Sequence, residues 1–543
     1  MISNTLLILL GLASLVPFFT AYTLRWSLQL VGWSLKKKTE GRRQALLERV
    51  RLDEVTWQST QQDTNRSEDE EWEKVEGYSG AASDTAPQNV NWEGIIGFFH
   101  PFCNAGGGGE RVLWAAIRAT QKRWPKALCV VYTGDHDVDR VSMIQKVQNR
   151  FNITLHPPTL VFMYLTTRHL VLASTYPHFT LLGQSLGSLA LGYDAFNLLV
   201  PDIFIDTMGY AFTLALSHYL FPSVPTAAYT HYPTISTDML DSLETVAGGK
   251  GIHAGRGKGA KGILKKTYWR LFARLYGWVG SHIDVVMCNS SWTRSHISAL
   301  WKSKKSLSSF ASVVFPPCPV EEFERKVTVQ ADLEREREPL ILYIAQFRPE
   351  KDHSLILHSF ARYMQHSALQ SAPDKRRPRL VLIGSVRADT PDETHIYNLR
   401  LLAHELHIKD DVTFICDASF STILEYLQRA SIGVNGMWNE HFGIGVVEYQ
   451  AAGLISVVHD SGGPKLDIVV PFEGEDTGFH ANSEEEFAAG FKKVIEEMSE
   501  TERAEMRLRA RNNAKRFTEE AFARKWVGET DVLVQLQIAR AKG

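Results

Sequence analysis

The amino-acid sequence predicts an α/β protein with two domains, each a parallel β-sheet covered by helices on both faces, behind an N-terminal membrane segment. From Trp92 onward, short apolar runs alternate with longer helix-like segments, as in parallel sheets that are buried on both faces. This alternation restarts near Pro339 and so divides the body of the chain into two. The first 24 residues contain no Lys, Arg, Asp or Glu, as expected of a helix that spans a bilayer.

The overall composition excludes a general nucleic-acid binder. The 543 residues carry 59 basic and 61 acidic side chains, a formal net charge of −2, whereas nucleic-acid binding needs a basic excess. The five cysteines are widely spaced and form no C-x-x-C pair: Cys103, Cys129, Cys288, Cys318 and Cys416. They indicate neither a zinc site nor a disulfide framework, so a reducing compartment is the simpler interpretation.

Residues 1–35 are predicted to form a membrane anchor. The uncharged run includes TLLILLGLASLVPFF, and about 20 apolar residues span a bilayer core. The alternative is a cleaved signal peptide, but that would require a basic residue before the apolar run, and none is present. Trp26 and Trp33, followed by a basic cluster that ends at Arg43, place the C-terminal side of the anchor in the cytosol. We therefore expect a single uncleaved span.

Residues 36–91 are predicted to be a basic flank and a polar linker. Their centre, SEDEEWEKVEGYSGAASDTAPQ, is acidic and then rich in Ser and Ala, which favours a solvated segment. A second uncharged stretch covers residues 170–193, where Pro177 and several glycines interrupt the apolar sequence. We interpret this stretch as buried core with an interfacial patch; a second membrane span is the alternative.

The first domain is expected over residues 92–325. It opens with the strand GIIGFF, a glycine-rich turn and the helix-like segment VLWAAIRATQKRW, an order typical of a Rossmann-like domain. Gly106, Gly107, Gly108 and Gly109 would allow the backbone to approach a phosphate and to present N–H groups at the helix start. A flexible turn without a ligand is the alternative interpretation.

The second domain is expected over residues 326–543, and its last helix is a candidate to pack back on the first domain. The strand ASIGVNGM precedes NEHFGIGVVE, in which seven residues separate Glu440 from Glu448. Glu440 should lie in the loop, while Gly443 and Ile444 offer N–H groups at a helix start, where phosphate binds well. The two carboxylates could then reach opposite ends of one nucleotide-sugar, and unrelated surface glutamates are the alternative.

These motifs together resemble one family of glycosyltransferases. E-x7-E beside Phe442 and Gly443, on the second of two Rossmann-like domains, is similar to the retaining GT-B glycosyltransferases. Seven segments closely resemble the eukaryotic α-1,2-mannosyltransferases of the dolichol-linked oligosaccharide pathway: HPFCNAGGGGERVLW, YTGD, THYPTIS, CNSSWT, PPCPV, AQFRPEKDH and NEHFGIGVVEYQAAG. The resemblance covers most of the chain after the anchor and implies a GT-B fold with two Rossmann-like domains facing a cleft.

The resemblance also implies the reaction. The donor would be GDP-mannose, and the acceptor a dolichyl-diphosphate oligosaccharide that carries chitobiose and three mannoses. The enzyme would add the fourth and fifth mannoses, both α-1,2, with retention, on the cytosolic face of the endoplasmic reticulum membrane. Another lipid-linked GT-B glycosyltransferase and a noncatalytic GT-B scaffold for partner transferases are the alternatives.

Four residues receive roles from the resemblance. Glu440 matches the glutamate that contacts the donor sugar, Glu448 the one that holds the ribose, and Lys351 the residue that neutralises the diphosphate. Such opposed groups suit a transfer that leaves negative charge on GDP and positive charge on the sugar. His231, in THYP, matches a histidine that orients the attacking hydroxyl or stabilises the transition state; a structural histidine is the alternative.

The basic pair departs from the wider pattern. In much of the superfamily it reads G-R-x-x-x-E-K, but here Gln346 stands at the Arg position and Arg348 follows two residues later. Arg348 is therefore a candidate to bind the diphosphate by another route, with a packing role as the alternative. Phe442, Gly443 and Ile444 complete the predicted donor site.

We expect no metal or other cofactor. Asp135-His-Asp137-Val-Asp139 contains the D-x-D by which GT-A transferases bind Mn²⁺ or Mg²⁺, and oxygen ligands suit those ions. The motif is short, and it follows the second strand of a chain with GT-B features, so metal-independent transfer is the prediction and a metal site the alternative.

The expected partners follow from the donor, the acceptor and the anchor. They are GDP-mannose, the dolichyl-diphosphate oligosaccharide and lipid of the endoplasmic reticulum membrane, with other mannosyltransferases of the pathway as further candidates; no nucleic acid is expected. The segment 248–274 is dense in positive charge: Lys250, Arg256, Lys258, Lys261, Lys265, Lys266, Arg270 and Arg274. It could contact anionic lipid or the acceptor diphosphate, or it could be a flexible surface loop.

Overall fold

Two parallel β-sheets, of seven and six strands, form the body of the protein. This computed structural model describes residues 4–64, 91–242, 259–301, 311–330, 334, 336–367, 376–387 and 390–542. Helices cover both faces of each sheet, because the strands are almost fully buried and their apolar side chains need cover on either side. The predicted pair of Rossmann-like domains is therefore confirmed.

The first helix, α1, spans Asn4–Thr64. It continues through residues 36–64, so the first part of the predicted linker is helical; this part is rich in Glu, Arg, Gln and Leu, which favour helices. Residues 65–90, and the side chains of residues 1–18 within the predicted anchor, lie outside the described part. In the part that is described, no helix has both the length and the apolar character to cross a membrane.

The middle of α1 packs against the first domain. Leu35 is buried there, and Arg43 pairs with Asp202 at 2.6 Å. Gly32 makes the close approach possible, since a Cβ at this position would lie 1.9 Å from the carbonyl oxygen of Leu220. The C-terminal end of the predicted anchor is thus fixed to the body of the protein.

The first sheet has the strand order β3-β2-β1-β4-β5-β6-β7, with all neighbours parallel. Its strands are β1 (Ile95–Phe99), β2 (Leu128–Thr133), β3 (Leu160–Tyr164), β4 (Ile203–Asp206), β5 (Thr226–Thr230), β6 (Val285–Cys288) and β7 (Ala311–Val313). Its helices are α2 (Gly108–Arg123), α3 (Arg140–Phe151), α4 (Thr180–Leu198), α5 (Ala211–Leu220), α6 (Thr237–Ser242), α7 (Gly259–Gly280), α8 (Ser291–Leu300) and α9 (Val320–Lys326). The order reverses between β1 and β4, and ligands of such sheets bind at the carboxyl ends of strands at this point.

The uncharged stretch 170–193 contributes to the core of this domain. It forms short turns and then enters α4, where Leu191 is fully buried. Phe179, Leu186 and Tyr193 remain exposed on the same segment. The expected contribution to the core is therefore present, whereas contact of the exposed side chains with a membrane interface stays a prediction.

The second sheet has the order β10-β9-β8-β11-β12-β13, again with parallel neighbours. Its strands are β8 (Glu338–Ile344), β9 (Arg379–Gly384), β10 (Val412–Cys416), β11 (Ala430–Asn435), β12 (Ile455–His459) and β13 (Gly478–Ala481). Its helices are α10 (His353–His366), α11 (Pro391–Glu405), α12 (Phe420–Arg429), α13 (Ile444–Ala451), α14 (Glu484–Lys492), α15 (Glu500–Ala514) and α16 (Glu519–Lys542). Here the order reverses between β8 and β11.

The last helix, α16, crosses back to the first domain and packs against α2. Trp526 is fully buried there, and its indole N–H donates to Thr120 Oγ1 at 3.0 Å. Glu519, at the start of α16, binds Arg111 and Arg118 of α2 at 2.6 Å each. The chain therefore ties the two domains together next to the glycine-rich turn.

Candidate functional site

The predicted site residues follow the carboxyl ends of strands in the two sheets. The glycine-rich turn follows β1 and His231 follows β5 in the first domain, whereas Lys351 follows β8 and Glu440 follows β11 in the second. The two edges meet: a Cβ at Gly108 would lie 2.7 Å from Ile444 Cδ1. The residues therefore line one cleft between the domains.

Lys351 and Glu440 form the central ion pair of this cleft. Lys351 Nζ lies 2.5 Å from Glu440 Oε2 and 3.1 Å from Met437 Sδ. A single helical turn, Pro349–Lys351, brings the lysine into place, and Tyr343 donates its hydroxyl to the Lys351 carbonyl at 2.6 Å. Both side chains are partly accessible, so the pair can exchange with a ligand.

The charge of Glu440 depends on this lysine. Burial alone would raise the pKa of the carboxyl, but the Lys351 ammonium, with smaller contributions from His441 and Asn435, lowers the pKa below its ordinary value. Glu440 is therefore a carboxylate at neutral pH. A carboxylate here can stabilise positive charge on a sugar, while the neighbouring cation neutralises the negative charge of a phosphate.

The loop after β12 fixes the backbone of Glu440. The Gly463 N–H donates to the Glu440 carbonyl at 2.7 Å. At Gly462, where φ is +65°, a Cβ would lie 2.3 Å from the same carbonyl oxygen. Asn439, also in the left-handed region, donates its backbone N–H to Ser461 Oγ at 2.8 Å. The SGGP sequence thus allows a close backbone approach that holds the first glutamate outside the helix.

Helix α13 begins directly after Gly443, whose φ is +104°. Ile444 is half-buried at the first turn, so this helix start lies at the cleft, as predicted for a phosphate-binding N-terminus. Phe442 is different, because it is 3% exposed and packs on Phe315 and Phe517 at ring-centroid distances of 5.8 and 5.5 Å. Its side chain belongs to the core, which leaves only its backbone for the predicted donor contact.

Glu448 lies within α13, half-buried and close to the first domain. Burial raises the pKa of its carboxyl to about 7, with Arg111 opposing this shift and Glu322 adding to it. Arg111 belongs to the glycine-rich turn and helix α2. The second glutamate therefore shares an electrostatic environment with the opposite domain, which the spacing alone could not indicate.

Arg348 lies beside Asp392. Its Nε is 4.0 Å from Asp392 Oδ2, and that carboxylate is also held by Arg387 at 2.6 and 3.1 Å. Gln346, at the position of the superfamily arginine, is exposed. Of the predicted basic pair, only Lys351 contacts Glu440. Among the described residues, the Arg348 Nε is buried and makes no hydrogen bond, so both alternatives for Arg348 stay open.

His231 lies against the glycine-rich turn. Its Nε2 is 3.2 Å from the Thr207 carbonyl oxygen, and a Cβ at Gly109 would lie 3.7 Å from the same nitrogen. Because a carbonyl only accepts, Nε2 carries the proton and Nδ1 carries the lone pair. Burial, with a smaller effect from His100, lowers the pKa of His231 to about 4. This neutral imidazole can accept a hydrogen bond from a hydroxyl.

Two buried groups behind His231 were not indicated by the sequence. Glu110 accepts the Gly107 N–H at 2.5 Å, which caps the start of α2, and its other oxygen lies 3.7 Å from His100 Nε2. His100 Nδ1 is 2.7 Å from the Thr207 hydroxyl. The shape of the glycine-rich turn and the setting of His231 are therefore linked through Glu110, His100 and Thr207.

The D-x-D motif has local partners. Asp135 binds Arg168 and accepts the Asn104 N–H at 2.9 Å. Asp139 caps α3 by accepting the N–H groups of Val141 and Ser142, while Asp137 is exposed. Over the described ranges, no group of three or more His, Cys, Asp or Glu side chains is arranged to hold a metal ion.

The basic segment 248–274 is described only in part. Residues 248–258 lie outside the described residues, and residues 259–274 form most of α7. Four large apolar side chains are exposed along one face of this helix: Leu264, Leu271, Leu275 and Trp278. Lys265 lies over the Trp269 ring at 4.7 Å. The helix thus combines basic side chains with an exposed apolar stripe.

Both halves of the chain match known glycosyltransferase families. A family model described as ALG11 mannosyltransferase N-terminus matches residues 93–301, and one described as Glycosyl transferases group 1 matches residues 324–517. A GDP-Man:Man(3)GlcNAc(2)-PP-Dol alpha-1,2-mannosyltransferase of Neurospora crassa is 55% identical over 97% of this chain and 96% of its own length. The human protein of the same description is 45% identical over 79% of this chain and 85% of its own length.

Solved structures share the fold at low sequence identity. A sucrose-phosphate synthase from Thermosynechococcus elongatus superposes with a TM-score of 0.57 at 14% identity, covering 82% of this chain and 99% of its own. An identity this low shows the two-domain fold alone.

Proposed function

Because the chain belongs to the family of GDP-Man:Man(3)GlcNAc(2)-PP-Dol α-1,2-mannosyltransferases, we propose that it transfers mannose from GDP-mannose to a Man(3)GlcNAc(2)-diphosphodolichol acceptor. It adds the fourth and fifth mannoses, each through an α-1,2 bond. The observation that carries this proposal is the Lys351–Glu440 ion pair at the cleft, 2.5 Å long. A cation and a carboxylate side by side suit the opposite charges that develop at the two ends of a breaking sugar–phosphate bond, which supports the proposal.

The second domain holds the donor. Lys351 and the N–H groups at the start of α13, after Gly443, neutralise the diphosphate, which also benefits from the helix dipole. Glu448 accepts hydrogen bonds from the ribose hydroxyls. Glu440 lies at the sugar end, where its carboxylate stabilises the positive charge that develops as the GDP leaves.

The first domain presents the acceptor. His231, neutral and with Nδ1 as its accepting nitrogen, orients the attacking hydroxyl toward the sugar. Attack on the face from which GDP departs retains the anomeric configuration, and GDP itself takes up the hydroxyl proton. Gly108 and Gly109 allow the turn to approach both His231 and α13.

The transfer proceeds without a metal in this proposal. Asp135 and Asp139 are engaged by Arg168 and by the start of α3, and Lys351 with the α13 N–H groups supplies the neutralisation that Mn²⁺ or Mg²⁺ supplies elsewhere. Unchanged turnover in EDTA is the expected result, and loss that Mn²⁺ restores would contradict it.

The protein works at the cytosolic face of the endoplasmic reticulum membrane in this proposal, held by one N-terminal span. The uncharged start of the chain and the basic residues that follow it support this orientation. The apolar stripe of α7 and the exposed Phe179 and Leu186 support additional contact with the lipid surface. Such contact would bring the dolichyl diphosphate close to the cleft.

The test is transfer of labelled mannose by the purified full-length protein in detergent. With GDP-mannose and a synthetic trimannosyl-chitobiosyl lipid diphosphate, we expect products one and two hexoses longer that an α-1,2-mannosidase returns to the starting acceptor. UDP-glucose is the control donor and should give no product. Absence of transfer, or transfer only after a partner transferase is added, would contradict the proposal and favour a scaffold.

A further inference from the structure

Three aromatic rings from the two domains meet next to the predicted catalytic side chains. Tyr232 directly follows His231, and His441 directly follows Glu440. The Tyr232 and His441 rings lie 4.3 Å apart, inclined by 35°. Trp292, at the start of α8, stacks on His441 at 5.2 Å and 29°. A side chain of the second domain is thus held by two rings of the first.

Polar contacts between the domains flank this aromatic cluster. Asn439 donates to Asp238 at 2.5 Å, and Asp238 lies 3.4 Å from His296 Nε2. On the other side, Ser291 donates its backbone N–H and its hydroxyl to Asp467 at 2.8 and 2.5 Å. These contacts come from separate segments of each domain, so the aromatic cluster lies in the middle of a continuous interdomain contact.

The histidine suits stacking better than proton transfer. Burial lowers the pKa of His441 to about 4, so the ring is neutral when it stacks. The Tyr232 hydroxyl donates to Met239 Sδ at 2.9 Å, which leaves the face of the phenol ring as its contact with His441. Ring faces, rather than hydrogen-bonding atoms, therefore connect the two residues.

From these contacts we infer that His441 is a positioning residue, whose stacking against Tyr232 and Trp292 sets how Glu440 and His231 face each other across the cleft. The inference rests on the proposed function, because it concerns the same transfer. Tyr232 and His441 are joined directly to His231 and Glu440 in the chain. A shift of either ring that moves its backbone therefore moves the neighbouring site residue as well. A displacement of about 1 Å is enough to lower a rate by about 100-fold.

Substitutions at both rings test the inference. His441→Ala and Tyr232→Ala should each lower kcat about tenfold or more. The Kd for GDP, measured by calorimetry, should stay within about twofold, because neither ring is among the predicted donor-binding residues. His441→Phe and Tyr232→Phe keep a ring and should retain most of the turnover. His404→Ala, at an exposed histidine of α11, is the matched control. Loss of turnover in His441→Phe equal to that in His441→Ala would contradict the inference, as would full turnover in His441→Ala.

A distance measurement separates this inference from the proposed function. Spin labels at Val141 and Tyr397, exposed positions of the two domains, report the interdomain distance in a Cys416→Ser background. The unsubstituted and His441→Phe proteins should give the same narrow distribution, and His441→Ala a shifted or broader one. Identical distributions in all three would overturn the positioning role. If the unsubstituted protein transfers no mannose, the proposed function fails while this comparison still decides the role of His441.

Discussion

Lys351 Nζ lies 2.5 Å from Glu440 Oε2, so two oppositely charged groups from the ends of β8 and β11 form one ion pair at the carboxyl edge of the second sheet. This arrangement explains how a partly buried carboxylate stays ionised. Replacing Lys351 therefore removes the strongest of the influences that hold the pKa of Glu440 down.

Lys351→Met should weaken donor binding and shift the pH dependence of turnover. Without the ammonium, burial raises the pKa of Glu440, so activity should require a higher pH. The KM for GDP-mannose should rise by about tenfold or more, since a hydrogen bond to a charged group contributes about 1.5–3 kcal/mol. Lys409→Met, at an exposed lysine, is the control. An unchanged KM and pH profile would rule out the diphosphate role.

Glu448 should make donor binding pH-dependent near neutrality. Its pKa is raised to about 7, and a carboxylate accepts hydrogen bonds from the ribose hydroxyls better than a carboxylic acid does. We therefore expect the KM for GDP-mannose to fall between pH 6 and 8, and this dependence to disappear in Glu448→Gln. If the two proteins share one pH profile, Glu448 does not hold the ribose.

The same shift gives a stability prediction. Between its ordinary pKa of 4.5 and about 7, Glu448 holds more protons in the native than in the unfolded state, so its contribution to stability falls as pH rises. The Tm of Glu448→Gln minus the Tm of the unsubstituted protein should therefore be larger at pH 8 than at pH 5. A difference in Tm that does not change with pH would contradict this.

Gly108→Ala should hinder the close approach of the two domains, and a second substitution should relieve it. The new Cβ would lie 2.7 Å from Ile444 Cδ1, at the end of a side chain that can rotate away, so we expect a modest fall in turnover. Ile444→Val removes that methyl group, and Gly108→Ala with Ile444→Val should recover much of the lost activity. Ile444→Val alone is the control. Failure of the double variant to recover would show that the clash is not the cause.

Trp526→Ala should destabilise the first domain although the residue lies at the end of the chain. The indole is fully buried against α2 and donates to Thr120, and truncation of such a side chain costs about 3–5 kcal/mol. The midpoint of chemical denaturation of Trp526→Ala should be compared with that of Val532→Ala, a substitution at an exposed position on the same helix. Equal midpoints would contradict the packing of α16 on the first domain.

Local sequence patterns were sufficient to predict both sheets and the loop position of Glu440. Short buried strands and glycine-rich turns carry their signal within a few residues, and Gly443 marks the start of α13 by its conformation. The same local reasoning counted Phe442 as a donor-binding residue, because nothing near it in the chain reveals that Phe315 and Phe517 enclose its ring.

Contacts between distant segments account for what the sequence did not reveal. Tyr232 and His441 meet only because two separate sheets place their carboxyl edges together. Arg348 lies 4.0 Å from Asp392 and does not contact Glu440, and no spacing rule encodes that position.

The most direct test of the central claim is the single-turnover rate of Glu440→Gln with GDP-mannose and the trimannosyl lipid acceptor. The substitution keeps the shape of the side chain and removes its charge, so we expect mannose transfer to fall by at least about 100-fold while GDP still binds. Glu405→Gln, at an exposed glutamate of α11, should transfer at the unsubstituted rate. Transfer by Glu440→Gln at that same rate would contradict the claim that Glu440 stabilises the departing sugar.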